Sequence, residues 1–373
     1  MTPAALTPAV VCPRLAVLCA SYGRVRRGIE TVVRELCLER LGRDWPVDLY
    51  GPPEAPELPA PHRTIRVSCA PRESTAARRY AGLLAGTRWP LAGAHDYEAL
   101  HFTARLADTC FWSEPYRAVF NYAGPAAALL CRAKRAWDGS AFIHSGQAGM
   151  GPVEVAQAAV GPDWYVPLSP PARDWLAGKR LLAPLAPVVP NGVDLVRYAP
   201  GPGRDLGLPR PVALFAGALD EMKRPLLAIA AAARAGMALA VAGDGPQRDE
   251  VCQRGGELLG DRFRYLGAVA ETEMPALYNA AEVFVLPSFE EPFGIVLLEA
   301  MACNKPVVTQ DDAVRRWLIG DAGMLVECTD TVAFAAALRA AAGCDWQDRL
   351  RQRAQRFDWD IVAGEYRRWL RAA

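Results

Sequence analysis

The chain has 373 residues, 51% of them hydrophobic, with 42 Lys and Arg against 41 Asp and Glu for a formal net charge of +1. That length exceeds one ordinary core and predicts two domains. Such even charge excludes the polyelectrolyte footprint of sequence-independent nucleic-acid binding, so no nucleic-acid partner is expected.

From the start of the chain, the run Arg14 to Ala20 predicts a buried strand; it follows no basic segment and is too short for a signal or membrane anchor. The loop SYGRVRRG at 21–28 then leads into a helix with Ile29, Val32, Val33 and Leu36 on one face, a βα unit. Between Pro46 and Arg72 the chain is proline-rich and carries no clear period. A helix is predicted over Ala76–Ala85, strand ends at Val119–Asn121 and Phe142–His144, and a strand over Trp164–Ser169. The proline-studded stretch from Ala183 to Gly203 has the composition of a connector. The expected organisation is an N-terminal domain over 1–190, a C-terminal domain over 191–355 and a terminal segment over 356–373.

Beyond the connector the alternation is cleaner. Strands are predicted at Val212–Ala216, Ala238–Ala242, Phe263–Leu266, Glu282–Leu286 and Pro306–Thr309, with helices at Pro225–Ala235, Met274–Ala280 and Phe293–Ala302. Alternating βα units argue for doubly wound parallel sheets, which bind ligands at the carboxyl ends of their strands. Gly217, Gly243, Gly267 and the Ser288–Gly294 turn would gather there. The ten cysteines, Cys12, Cys19, Cys110 and Cys303 among them, form no Cys-x-x-Cys pair and read as reduced thiols of a cytoplasmic protein.

The most informative stretch is EEPFGIVLLEAMA at 290–302. A strand ends, a turn carries Glu290 and Glu291, and an apolar helix opens at Phe293. First-turn amides lack partners within a helix, so those near Phe293, Gly294 and Ile295 can receive an anion, phosphate above all. Glu299 lies about two turns further in. A carboxylate on so apolar a helix is costly to bury unless donors satisfy it, and the hydroxyl pair of a ribose would do so.

These residues resemble glycosyltransferase family 4, a retaining family with the GT-B fold. The Glu-x7-Glu pair is Glu291 and Glu299, EAMA follows at 299–302, PNGVD stands at 190–194, GDGP at 243–246, and RGIETVVREL at 27–36 is similar to the family's glycine loop and first helix. The resemblance implies an α/β architecture of two Rossmann-like domains facing a cleft. The C-terminal domain would hold a nucleotide diphosphate sugar, Glu299 on the ribose and Glu291 on the donor sugar. The N-terminal domain would hold a glycan, lipid-linked or small-molecule acceptor. Transfer would retain configuration with neither metal nor cofactor, the leaving diphosphate being stabilised by the helix N-terminus. His144, in FIHSGQAG at 142–149, resembles the family's active-site histidine, and Lys223 its diphosphate lysine. Gly28 and Gly217 would line the donor site, and the final segment 357–370 would cross back to the N-terminal domain, anchored by Trp359, Tyr366 and Trp369.

One departure stands out. The arginine expected just after Gly217 is Ala218, and losing a charge-assisted contact costs about 1.5–3 kcal/mol. Arg224 is adjacent to Lys223, and Arg24, Arg26 and Arg27 lie in the first loop; the expectation is that Arg27 or Arg26 supplies the second positive charge. Asn304, where the family has glycine, suits a left-handed helix cap.

Competing readings are weaker. A glycosidase needs two carboxyls flanking one bond, whereas Glu299 lies too far along its helix. Gly243-Asp244-Gly245 lacks the third glycine and following helix of a nicotinamide site. Asp358-Trp359-Asp360 spells a metal-associated Asp-x-Asp but falls in a helix-like segment. A non-catalytic sugar-nucleotide binder stays open because of Ala218, as does an epimerase or a phosphorylase of the same fold. The basic and apolar residues Arg78, Arg79, Leu83, Leu84, Arg88, Trp89, Arg132, Lys134, Arg135 and Trp137 raise peripheral contact with an anionic membrane.

Overall fold

A computed structural model describes residues 14–25, 27–85, 93–179 and 187–372. The chain divides into two compact units. The first holds the described residues up to Pro167 together with 176–179, 187 and 363–372; the second holds Leu168–Trp175 and Val188–Val362.

The first unit is built on strands β1 (Leu15–Leu18), β2 (Val47–Gly51), β3 (Arg63–Arg66), β4 (Ala118–Asn121), β5 (Ala141–Ser145) and β6 (Trp164–Val166). They pair in parallel in the order β3-β2-β1-β4-β5-β6. The second contains β7 (Val212–Ala216), β8 (Ala238–Ala242), β9 (Phe263–Gly267), β10 (Val283–Leu286), β11 (Val307–Gln310) and β12 (Gly323–Val326), in the order β12-β11-β10-β7-β8-β9. Each sheet therefore has the doubly wound strand order expected, and each has one switch point where that order reverses, between β1 and β4 and between β7 and β10. Helices cover the sheets, so the central strands are apolar throughout: every residue of β1 and β10 is fully buried.

Two strands lie in the proline-rich stretch that showed no period. β2 carries a fully buried carboxylate, Asp48, which receives Arg14 Nε at 2.8 Å and Arg63 Nε at 2.9 Å. The PNGVD string is structural here. Val193 N–H donates to Phe357 O at 2.8 Å, and a Cβ at Gly192 would come within 2.6 Å of the Trp359 ring, so only glycine fits. The helix Trp359–Ala372 then enters the first unit from Ala363 onward, where Tyr366 lies 5.9 Å from Phe120 and Trp369 stacks on Trp164 at 6.2 Å. Trp359 and Tyr366 are buried anchors; Trp369 is half-buried. Among the described residues no helix is long and apolar enough to cross a membrane.

Candidate functional site

The carboxyl ends of β7 and β10, flanking the switch point of the second sheet, lead into the loops that hold most of the expected donor residues. After β7 the chain passes Gly217 and turns on Asp220, whose carboxylate accepts the Lys223 N–H at 3.0 Å and whose carbonyl accepts the Arg224 N–H at 3.1 Å. After β10 comes the Pro287–Gly294 turn. Phe289 N–H donates to Met222 O at 2.7 Å and ties the two loops together. Lys223 Nζ thereby lies 2.5 Å from Glu291 Oε2, an oxygen that also accepts the Ser288 hydroxyl at 3.1 Å.

Arg315 fixes this turn from beneath. It is fully buried, and its guanidinium donates to Ser288 O at 2.7 Å and to Gln310 O at 3.0 Å, linking the ends of β10 and β11. Burial pulls it down from its ordinary pKa, while Asp312 and Glu291 act in the opposite direction. Arg224 adopts a left-handed backbone at φ 52° and places its guanidinium 4.6 Å from the Phe289 ring centre. It is the arginine next to Lys223 in a chain with alanine at 218.

The apolar helix begins at Ile295, two residues later than expected, because Gly294 takes φ 93° as its N-cap. A Cβ there would meet Leu297 Cδ1 at 2.9 Å. The Phe293 side chain is core, packed on Trp317 and Phe357, so only its backbone can meet a ligand. Glu299 is buried, but it does not depend on a ligand for a donor: the Tyr278 hydroxyl donates to its Oε2 at 2.7 Å. Burial first and the Glu299 charge second hold the Tyr278 and Tyr198 phenols far above their ordinary range. Glu290 is exposed. The glycines at the β7 and β8 ends lie against each other: a Cβ on Gly243 would fall 1.8 Å from Gly217 O.

In the first unit the loop after β1 carries Gly28 and Arg27. Arg27 is exposed and caps the helix Gly28–Val32, where Glu30 Oε2 accepts its N–H at 3.0 Å. Arg24 is committed elsewhere, to Glu54 at 2.7 Å, Glu98 at 3.0 Å and Cys69 O at 2.7 Å; Arg26 lies outside the described residues. His144 is near the end of β5, buried and bonded to Glu154 at 3.2 Å.

No spacing along the chain pointed to Tyr278 or Arg315, which reach Glu299 and the Ser288–Gly294 turn from other elements, or to Glu154, which meets His144 within the first unit. Lys134 is also corrected: it is fully buried, bonded to Asp138 at 2.7 Å and Glu114 O at 2.8 Å, and is no part of a surface cluster. Arg88 and Trp89 lie outside the described residues.

Two parallel sheets of Rossmann order, each with its loops at the strand ends, make this a two-domain α/β protein of the GT-B fold. Solved structures bear this out: sucrose-phosphate synthase from Thermosynechococcus elongatus superposes with a TM-score of 0.75 over 96% of this chain and 100% of that one at 22% identity. Anabaena HepE in complex with UDP does so with a TM-score of 0.70 over 96% and 100% at 17% identity. Residues 204–357 match the family model of glycosyl transferases group 1. A phosphatidyl-myo-inositol mannosyltransferase of Mycolicibacterium smegmatis is 36% identical over 196 residues, 48% of this chain and 50% of that one. A D-inositol 3-phosphate glycosyltransferase of Geodermatophilus obscurus is 36% identical over 176 residues, 41% and 39% respectively. The chain thus spans about half the length or less of these curated relatives.

Proposed function

We propose that the protein is a glycosyltransferase that moves a hexose-type sugar from a nucleotide diphosphate sugar to a hydroxyl-bearing acceptor, with retention of configuration and without a metal. The observation that carries this reading is the Lys223–Glu291 pair, set beside the N-terminus of a helix whose next turn bears Glu299. An ammonium and first-turn amides suit a diphosphate, Glu291 suits the hydroxyls of a sugar, and Glu299 those of a ribose. As the donor bond breaks, negative charge grows on the diphosphate, and the fixed cation and amides stabilise it most when it is largest. The resemblance adds Gly28, Arg27 and His144 from the first unit.

The relatives' acceptors, a phosphatidyl-inositol and an inositol phosphate by their names, support a polyol acceptor, lipid-linked or free. Contact with an anionic membrane belongs to the same proposal. Arg78, Arg79 and Leu83 on the helix Thr75–Leu84 are exposed, Leu83 at 83%, and Trp137 is 77% exposed. Flotation with anionic vesicles at low salt tests it; protein that stays at the bottom rejects it.

A thermal-shift panel of UDP-, GDP-, ADP- and dTDP-sugars tests the donor. Ligand at about 100 times its Kd adds about 2.7 kcal/mol of stability at one site. Donor hydrolysis without acceptor then separates an enzyme from a non-catalytic binder, the second reading that Ala218 favours, and Glu291→Ala abolishes turnover.

A further inference from the structure

β5 ends in a buried polar cluster, of which the proposed reaction uses His144 and leaves Glu154 and Tyr165 unexplained. His144 and Glu154 are each 3% exposed, and His144 Nε2 lies 3.2 Å from Glu154 Oε1. The Tyr165 hydroxyl donates to that same oxygen, and Ala148 N–H donates to the other at 2.8 Å. Tyr165 is the cross-strand partner of His144, with the two rings 5.4 Å apart. Glu154 arrives from the first turn of the helix Pro152–Ala159, where a carboxylate is favoured by the helix dipole. Burial, then the Glu154 charge, push the Tyr165 phenol up, so it stays a protonated donor.

An ionised carboxylate only accepts. With a hydroxyl and an amide already donating to it, Glu154 faces His144 Nε2 favourably only if that nitrogen carries a proton. In the neutral ring this leaves Nδ1 as a bare acceptor, and Nδ1 is buried with no partner among the described residues. Buried polar atoms are almost always satisfied, and the exceptions call for a reason. This one lies toward the carboxyl end of a parallel strand, where such sheets receive ligands. A sugar brings hydroxyl donors.

We propose that Glu154 is a positioning residue that holds His144, the histidine the resemblance places in the active site, as its Nε2–H tautomer, so that Nδ1 is left to accept a hydrogen bond from a sugar hydroxyl of the substrate. This rests on the glycosyltransferase reading for its ligand but not for its tautomer. A merely structural Glu154 would support the loop after β5 without deciding which ring nitrogen holds the proton.

The test is nitrogen NMR of the full chain labelled with nitrogen-15 histidine, the His144 signals being identified among the four histidines by their loss in His144→Gln. At neutral pH the expected result is a protonated Nε2 and an unprotonated Nδ1, and Glu154→Gln, whose amide can donate to the ring, inverts or mixes the tautomers. Tyr165→Phe leaves Nε2 protonated. A wild-type ring carrying its proton on Nδ1, or on both nitrogens, overturns the proposal and needs no variant; so does a tautomer indifferent to Glu154→Gln. If Glu154→Gln does not fold, Glu154→Asp, with its shorter reach, is expected to mix the tautomers, and a single unchanged tautomer overturns the lock. UDP-glucose, GDP-mannose and ADP-glucose are then each compared with the bare diphosphate, with thermal shifts read on the same samples. An Nδ1 signal moved by a sugar nucleotide and not by its diphosphate supports the hydroxyl contact. Stabilisation without that movement overturns the contact and leaves the transferase reading standing; no stabilisation by any of them counts against both.

Discussion

The ammonium of Lys223 lies 2.5 Å from a carboxylate oxygen of Glu291, and the two residues expected to grip opposite ends of a sugar diphosphate grip each other. The Lys223 side chain is 28% exposed and that of Glu291 9%, so the pair is only partly dried. An entering diphosphate must compete with Glu291 for the cation. Glu291→Gln removes the competitor and keeps the shape. Because a partly exposed pair is worth about 0.5–1 kcal/mol, binding of the bare nucleoside diphosphate should tighten roughly two- to fivefold while sugar transfer falls. Calorimetry with UDP and GDP beside a turnover assay reads both; weaker diphosphate binding together with unchanged turnover would reject the assignment. Lys223→Ala, by contrast, should cost the diphosphate about 1.5–3 kcal/mol.

Tyr278 gives Glu299 a donor inside the protein, 2.7 Å from Oε2. Tyr278→Phe keeps the ring, whose centre is 5.3 Å from that of Phe284, and deletes only the hydroxyl. A buried carboxylate oxygen deprived of its donor should cost about 1–3 kcal/mol of stability. Urea unfolding of the variant, with m unchanged, measures it; a midpoint equal to wild type would mean that another group takes over.

Gly243 and Gly236 both have positive φ, at 138° and 72°, yet alanine should act very differently at the two. At Gly236 a Cβ meets nothing within 4 Å, leaving only the left-handed strain of about 1–2 kcal/mol. At Gly243 it would fall 1.8 Å from Gly217 O, and the loop that carries Lys223 would have to move. Gly243→Ala is therefore expected to lose more stability than Gly236→Ala, and sugar-nucleotide affinity with it. Equal unfolding midpoints for the two variants would contradict the close approach of the backbones.

These contrasts show which parts of the molecule were legible from the chain. β7, β8 and β10 read as strands because both faces are buried and their residues are uninterruptedly apolar. β3, Arg-Thr-Ile-Arg, lies at the sheet edge with its two arginines exposed, and its signal is lost among prolines. Within the site, Glu291, Gly294 and Glu299 could be read together because a single turn and helix hold them. Tyr278 and Arg315 reach the same place through tertiary packing, and no spacing along the chain encodes that. The buried cost of Glu299 was legible; the partner that offsets it was not. Ala218 was legible as a loss, whereas the left-handed placement of Arg224 over Phe289 emerges only from the loop geometry.

Asp48 should govern part of the acid unfolding of the first unit. Burial alone would raise its pKa, but hydrogen bonds from Arg63 and Arg14 outweigh burial and hold it below its ordinary value. Tyr116 adds a donor at 3.0 Å. A carboxylate lowered in the folded state contributes stability that is fully present above its unfolded value and is lost as pH falls through the folded one. Asp48→Asn should thus be less stable than wild type at neutral pH, by about 1–3 kcal/mol, because the two arginines it leaves behind are partly exposed and solvent screens their charge. Its unfolding free energy should also depend less on pH on the acid side, so that the two curves converge as the wild-type carboxylate protonates. Chemical denaturation from neutral pH to below the ordinary carboxylate range measures the gap, and a gap that stays constant throughout would show that Asp48 is not the group whose protonation is being read.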